Sequence, residues 1–382
     1  MSGPLAGLRV VELAGIGPAP YACMLLADAG AQVLRLTRPS GAVGGVRGAV
    51  AAGAADLLAR SRPAIGIDLK APDGVALVLD LAARADALVE GFRPGVTERL
   101  GIGPGACWAR NERLVYGRMT GWGQEGPLAD RAGHDIDYIA VSGALWPIGR
   151  AGDAPVPPLN LVADFGGGGA MLAFGVLAAV LEARTSGRGQ VVDMAMVDGS
   201  ASLTTMLHSL HNAGAWEETR GVNVLDTGAP FYEVYETSDG GHMAVGAIEP
   251  QFYAALVEGL GIDPGSLPPQ LDRAGWPATK RRFAEVFRAR TRNEWTAAFE
   301  GTDACVAPVL APWEAPDHPH NRARATFVAP EGAVQPGPVP RFGRTPGAVA
   351  SPTGPDEALA AWGIEAERVA RLRRAGIADG PS

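Results

Sequence analysis

Cysteine is scarce. Only Cys23, Cys107 and Cys305 occur in 382 residues, an odd number with no metal-ligand spacing. That excludes a disulfide framework and a cysteine-rich zinc site, and it suits a reducing cytosol. Positive charge is not in excess either. The formal net charge is −8, which argues against nucleic acid as the main partner, because a phosphate backbone calls for a net basic face. A small anionic ligand held by a few local arginines stays compatible with it. The N-terminus, MSGPLAGLRVVEL, has no basic patch followed by a long apolar run, so it does not read as a secretory signal. Long apolar runs are nearly missing. The longest, FGGGGAMLAFGVLAAVL at 165–181, is short and holds five glycines, which favours a tightly packed core helix over a membrane span. The expectations are therefore a cytoplasmic protein with neither nucleic acid nor a membrane as partner.

What is present is ample for folding. Apolar residues make up 47% and charged residues 19% of the chain, the profile of a packed globular protein with enough length for two domains. LRVVEL (8–13) reads as a buried strand, AGIGPAP as a Gly/Pro loop, YACMLLADAGA as a helix and QVLRLT (32–37) as a second strand. This is one βαβ unit. The loop invites a dinucleotide-binding reading through Gly15 and Gly17, but Pro20 stands where the third small glycine belongs. Strands at 64–69, 87–92 and 113–119, with a helix over 73–85, extend the alternation. The fold class expected is α/β, with a Rossmann-like parallel sheet in the large domain. Ligands in such sheets collect at the carboxyl ends of the strands. Three of the loops there carry Arg38, Lys70 and Arg93, which suits a phosphorylated ligand, although each is also ordinary surface charge.

A long helix over 165–185 should stop at Gly187, and VVDMAMVDG should lead into a helix near 198–213. The composition then shifts to short strands with a DGG hairpin turn, helices near 250–260 and 279–300, and a strand within 303–310. Residues 328–356 are rich in Pro and Gly and read as a return linker, followed by a helical tail at 355–375. The division expected is a large domain over 1–200 completed by 328–382, a linker helix over 201–224, and a smaller α+β domain over 225–327. No internal repeat is visible.

Three loops hold candidate chemistry. RAGHDIDYIA (131–140) sets His134, one of six histidines, beside Asp135 and ahead of apolar sequence. It is either a proton-transfer group or a hydrogen-bonded core residue. Asp164 precedes four consecutive glycines in NLVADFGGGG. It is either a helix N-cap or a reacting carboxylate. Each glycine costs a helix about 1 kcal/mol relative to alanine, so the run needs a reason. Close approach of a ligand or another chain is one, and bare first-turn N–H groups for an oxyanion are another. Glu249 precedes Pro250 in GAIEPQFY and reads equally as a cap.

Taken together, LRVVELAGIGPAP, EGFRPGVTERLG, RMTGWGQEGP, GHDIDYI, PPLNLVADFGGG, GRGQVVDMAMVDG, GAPFY, AVGAIEPQFY and DACVAPV resemble the family III CoA-transferase superfamily and, within it, the bacterial α-methylacyl-CoA racemases. The resemblance spans most of residues 1–345. It implies a Rossmann-like large domain and a small domain in an interlocked homodimer, acting on an acyl-CoA thioester with no cofactor beyond the CoA of the substrate and no metal. By motif it implies that His134 and Asp164 are the two catalytic bases and that Glu249 supports the histidine side. It gives CoA binding to Arg38, to Ile67, Asp68 and Lys70, to Gly91, Phe92 and Arg93, and to Arg99. It places Gly133, Asp135 and Tyr138 along the thioester. The reaction implied is interconversion of (R)- and (S)-2-methylacyl-CoA through an enolate. The alternative within the superfamily is CoA transfer with Asp164 as nucleophile. One stretch departs from the family pattern: ARSRPAIGIDLK carries Ser61 and Pro63 where an Asn and further basic residues are usual, with extra Ala/Gly upstream.

Overall fold

A computed structural model describes residues 3–39 and 56–379. Ser40, Gly41 and the Ala/Gly stretch ahead of Asp56 lie outside the described residues. The chain divides into two compact units: 1–142, 159–203 and 325–382 form one, and 143–158 with 204–324 the other. The expected boundaries are corrected in two places. Residues 143–158 leave the large domain because Arg150 pairs with the buried Glu233 at 2.7 Å and Trp146 Nε1 donates to the Glu218 carbonyl. Residues 204–224 are no linker. They belong to the second unit, and the expected single helix breaks at Thr204 between Met196–Leu203 and Thr205–Asn212.

The first unit is a six-stranded parallel sheet in the order β3-β2-β1-β4-β5-β6. The strands are β1 (Arg9–Leu13), β2 (Gln32–Thr37), β3 (Ala64–Gly66), β4 (Ala87–Glu90), β5 (Val115–Thr120) and β6 (Val191–Ala195). All six point the same way, so their carboxyl ends share one edge. The chain's direction of winding reverses between β1 and β4, the place where such sheets open a crevice. Central strands must be apolar on both faces, and Val10, Val11, Leu88 and Val89 are fully buried. Helix α1 (Pro18–Asp28) and helix α2 (Pro72–Ala82) each begin with proline, which lacks only an N–H that the first turn would leave unpaired. The C-terminal helices Pro355–Ala361 and Ala366–Arg374 drive Leu359, Trp362, Val369 and Leu372 into the cluster around Leu77, Leu81 and Leu88. Each such side chain contributes roughly 1.5–3 kcal/mol, so the tail is an integral part of this unit.

Helix α3 (Asp135–Val141) follows the loop after β5. The glycine-rich helix starts earlier than expected, at Leu161, and runs to Ala170 as a wide π-helix before helix α4 (Met171–Ser186) continues it. Gly187 ends α4 in the left-handed conformation, as expected. By length and composition the segment Leu161–Ser186 could cross a membrane, yet only 39% of its apolar window is buried. It is not the enclosed core helix expected, because Phe174 and Leu181 are 71% and 69% exposed.

The second unit has an antiparallel sheet of β7 (Tyr232–Glu236), β8 (His242–Gly246) and β9 (Val306–Pro308), with the expected turn at Asp239–Gly241. Its core is aromatic. Tyr235 stacks on Phe287 at 5.0 Å, and Phe287 meets Trp295 edge-on. These rings come from β7 and from the helices Trp276–Phe287 and Arg292–Phe299.

Candidate active site

Asp164 is not an N-cap. Asn160 holds that position, and Asp164 sits in the first turn of the π-helix. Its carboxylate faces the loop after β1: a β-carbon on Gly17 would stand 3.1 Å from Asp164 Oδ2. Gly17 has φ +68°, so side chains are disfavoured there on conformational grounds as well. The glycines of the rejected dinucleotide loop thus make room for a carboxylate. Asn160 Nδ2 donates to Asp164 Oδ2 at 2.9 Å. Burial pushes the Asp164 carboxyl above the usual carboxylate range, and the Asn160 hydrogen bond opposes this. The charge of Asp135 raises it further and His134 lowers it. Two carboxylates and an imidazole therefore share one electrostatic neighbourhood.

His134 is the N-cap of α3, with extended backbone (φ −132°, ψ 174°), and its N–H donates to Asp137 at 2.9 Å. The residue is exposed, so the core-histidine reading fails. Asp135, next to it, turns the other way. It is 5% exposed, and its Oδ2 accepts from the N–H groups of both Ala163 and Asp164 at 2.8 Å. The Asp135 side chain anchors the π-helix, which leaves only its backbone to line a ligand. This corrects one expectation. The first-turn N–H groups of Ala163 and Asp164 are not bare for an oxyanion, because a carboxylate already occupies them. Tyr138 is likewise no surface contact. It is 6% exposed, its hydroxyl donates to the Gly133 carbonyl, and its ring meets Trp122 edge-on at 4.8 Å. A β-carbon on Gly133 would lie 2.7 Å from that ring, which fixes glycine there.

The glycine run has a different cause from the one expected. A β-carbon on Gly168 would meet the Ala163 carbonyl at 2.6 Å and Pro18 at 3.1 Å. One on Gly167 would meet the backbone of Ser200 at 2.7 Å, and one on Gly199 would meet the Gly167 carbonyl at 1.8 Å. The close neighbours are α1 and the helix Met196–Leu203 of the same chain. Their backbones press on the π-helix and hold Asp164 in place.

A sequence profile of CoA-transferase family III matches residues 5–357. The chain belongs to CoA-transferase family III. It is 46% identical over 375 residues to the alpha-methylacyl-CoA racemase of Mus musculus, covering 96% of both chains. It is 44% identical to the alpha-methylacyl-CoA racemase of Homo sapiens, again covering 96% of each. The crystal structure of a CAIB/BAIF family protein from Brucella suis has the same fold: TM-score 0.79 at 23% identity, covering 94% of this chain and 99% of that one.

In this family III chain the loops expected to hold CoA follow the strand ends. Arg38 is exposed after β2, Lys70 after β3, and Gly91 and Arg93 after β4. Arg99 is exposed at the end of the short helix Val96–Arg99. Arg93 is close enough to Tyr138 to lower its phenol's pKa against the dominant effect of burial, which pushes it up to about 12. The FRPG loop therefore borders the start of α3. Phe92 is half-buried against the apolar cluster. The Ile67 side chain is 1% exposed within that cluster, so any contact it makes with CoA falls to its backbone. Asp68 accepts from the Lys70 N–H at 2.9 Å and shapes the loop. In the departing stretch, Arg60 pairs with Asp28 and Arg62 with the buried Glu12 at 2.7 Å. Both arginines serve the interior instead of a ligand.

Glu249 lies on the second unit as the N-cap of the helix Pro250–Gly259. Its side chain makes no capping hydrogen bond, so the capping reading does not hold; burial pushes the Cys305 thiol up, and the charges of Glu249 and Asp303 add to that. Among the described residues no group of three or more His, Cys, Asp or Glu could hold a metal ion. Sequence reasoning missed Gly17 as the partner of Asp164, and Asn160, whose only signal was a polar residue one helical turn ahead of it.

Proposed function

We propose that the protein is an α-methylacyl-CoA racemase, interconverting (R)- and (S)-2-methylacyl-CoA thioesters by two-base proton transfer. The observation that carries this reading is that His134 lies within electrostatic reach of a partly buried Asp164 beside the crevice of the sheet, in a chain nearly half identical to two proteins of that name. A thioester acidifies its α-hydrogen because the electron pair left on C2 moves onto the carbonyl oxygen. One base takes the proton from C2, and the other delivers a proton to the opposite face as the enolate collapses. Burial suits Asp164 to this work, since a carboxyl with a raised pKa both accepts and returns a proton more readily near neutral pH. Glu249 is assigned the support of the histidine side. Arg38, Lys70, Arg93 and Arg99 are assigned to the CoA phosphates, and no resident cofactor or metal is required. The exposed stripe of Phe174, Ala178 and Leu181 on α4 supports a homodimer, interlocked as in the family, with this face covered by a second copy in the cytoplasm.

The test is isotope exchange. A 2-methylacyl-CoA incubated with the protein in D₂O should gain deuterium at C2 with no acceptor acid present. His134→Ala and Asp164→Asn should each slow exchange by about 10²–10⁴-fold, and Glu249→Gln by less. No exchange across a panel of acyl groups, together with a hydroxylamine-trapped acyl adduct on Asp164, would assign CoA transfer instead. Asp164→Asn carries a second signature. The folded-state pKa of Asp164 is raised, so its favourable contribution to stability is present below the unfolded carboxylate range and is lost as pH rises through the raised value. The inactive variant should therefore melt higher than the native protein at pH 8, and this advantage should vanish near pH 3.

A further inference from the structure

Arg118 lies in the middle of β5, between Glu90 of β4 and Asp193 of β6 in one cross-strand row. It is 8% exposed and Glu90 is 2% exposed. Its guanidinium reaches two loops at once. Nε stands 3.3 Å from Glu90 Oε1. Nη2 donates to Thr97 Oγ1 at 3.1 Å and to the Glu98 carboxylate. Nη1 donates to Gln124 Oε1 at 2.9 Å. Glu90 itself accepts from the Phe92 N–H at 2.6 Å, and Asp193 accepts from the Gln124 N–H at 3.1 Å. One side of this network fixes the 91–99 loop, which carries Arg93 and Arg99. The other fixes the 121–124 loop, whose Trp122 braces Tyr138 on α3, the helix that His134 caps.

We propose that Arg118 is a positioning residue that holds these two loops in register for the acyl-CoA, and that Glu90 makes this hold sensitive to pH. The proposal rests on the acyl-CoA reading above and deepens it. A planar guanidinium supplies donors in several fixed directions at once, which a lysine ammonium cannot reproduce. The groups facing Glu90 are Arg118 and Tyr116 on β5, Glu98 on the short helix and Asp193 on β6. Burial, with Glu98 and Asp193 adding, raises the Glu90 carboxyl to about 7 against the opposing effects of the Phe92 N–H and Arg118. Below that pH Glu90 takes a proton, its ion pair with Arg118 is lost, and the Phe92 N–H of the FRPG loop faces a neutral carboxyl, leaving Glu98 as the loop's remaining charged tie to Arg118.

The experiment titrates free CoA into the full-length protein by calorimetry between pH 6 and pH 8, alongside KM and kcat for a 2-methylacyl-CoA. Native protein should bind CoA about tenfold more weakly at pH 6 than at pH 8, with KM rising in parallel and kcat changing little. Glu90→Gln fixes the neutral state. It should bind weakly at both pH values and lose most of the slope, which also separates the effect from titration of the CoA phosphates. Arg118→Lys, checked for folding by its melting curve, should raise Kd about tenfold at pH 8. A folded Glu90→Gln protein that keeps the native slope, or a folded Arg118→Lys protein with native affinity, overturns the proposal. Native protein that binds no CoA at any pH overturns the acyl-CoA reading itself, and this inference with it.

Discussion

Two glycine-bearing stretches of the first unit do opposite work. In AGIGP, Gly17 stands back so that a functional carboxylate can approach, 3.1 Å from where its β-carbon would be. In DFGGGG, Gly167 and Gly168 stand back so that two helices can approach, and the carboxylate is what those helices steady. A missing side chain looks the same in both. What differs is the neighbour that fills the space, and with it the property that a new methyl group would damage. The first stretch should answer in rate and the second in stability.

The largest effect is expected at the helix contact. Gly199→Ala drives a methyl group to 1.8 Å from the Gly167 carbonyl, backbone against backbone. Overpacking of this kind costs about 3 kcal/mol or more. Urea denaturation should show a midpoint well below native, with activity per folded molecule falling only as the π-helix shifts. A native midpoint would mean that the helices separate easily, and the division of labour drawn above would be lost.

Gly17→Ala should behave in the converse way. Gly17 sits at φ +68°, ψ −112°, a sparsely populated region that costs a residue with a side chain about 1–3 kcal/mol, so the protein should fold with a lower Tm. The new methyl group presses on Asp164 Oδ2, however, and a misplacement of about 1 Å at a reacting group can cost about 10²-fold in rate. Deuterium exchange at C2 should fall by roughly that factor while CoA still binds. Equal losses in stability and rate would erase the contrast between the two stretches.

The contrast also marks how far the sequence could be read. Strands, their alternation with helices, the Gly187 stop and the DGG turn follow from local chemistry, and the structure has them all. His134 and Asp164 were visible as chemistry-bearing residues, and their separation of 30 positions closes only because α3 and the π-helix pack together. Long-range partners left no local trace. Asp135 caps N–H groups 28 and 29 residues away, so from sequence it looked like a ligand contact and those N–H groups looked free. Arg60 and Arg62 carry no local sign of their partners, yet Asp28 and Glu12 claim them from other elements. The break at Thr204 was hidden because apolar periodicity continues through it while the chain passes from one unit to the other.

The smallest effect sharpens the comparison at the carboxylate itself. Gly17 supplies space and Asn160 supplies the one side-chain hydrogen bond that favours the charged form of Asp164. Asn160→Ala removes that bond but leaves the burial that raises the carboxyl. The pKa of Asp164 must then move further up. A base works only when deprotonated, so the acid limb of the kcat/KM profile should shift toward higher pH. The rate on the plateau should stay within a few-fold of native, since the loop around Gly17 and the helices around Gly167 are untouched. A shift of the limb toward lower pH would mean that Asn160 stabilises the protonated acid, and that burial governs the site less than its position beside Asp135 suggests.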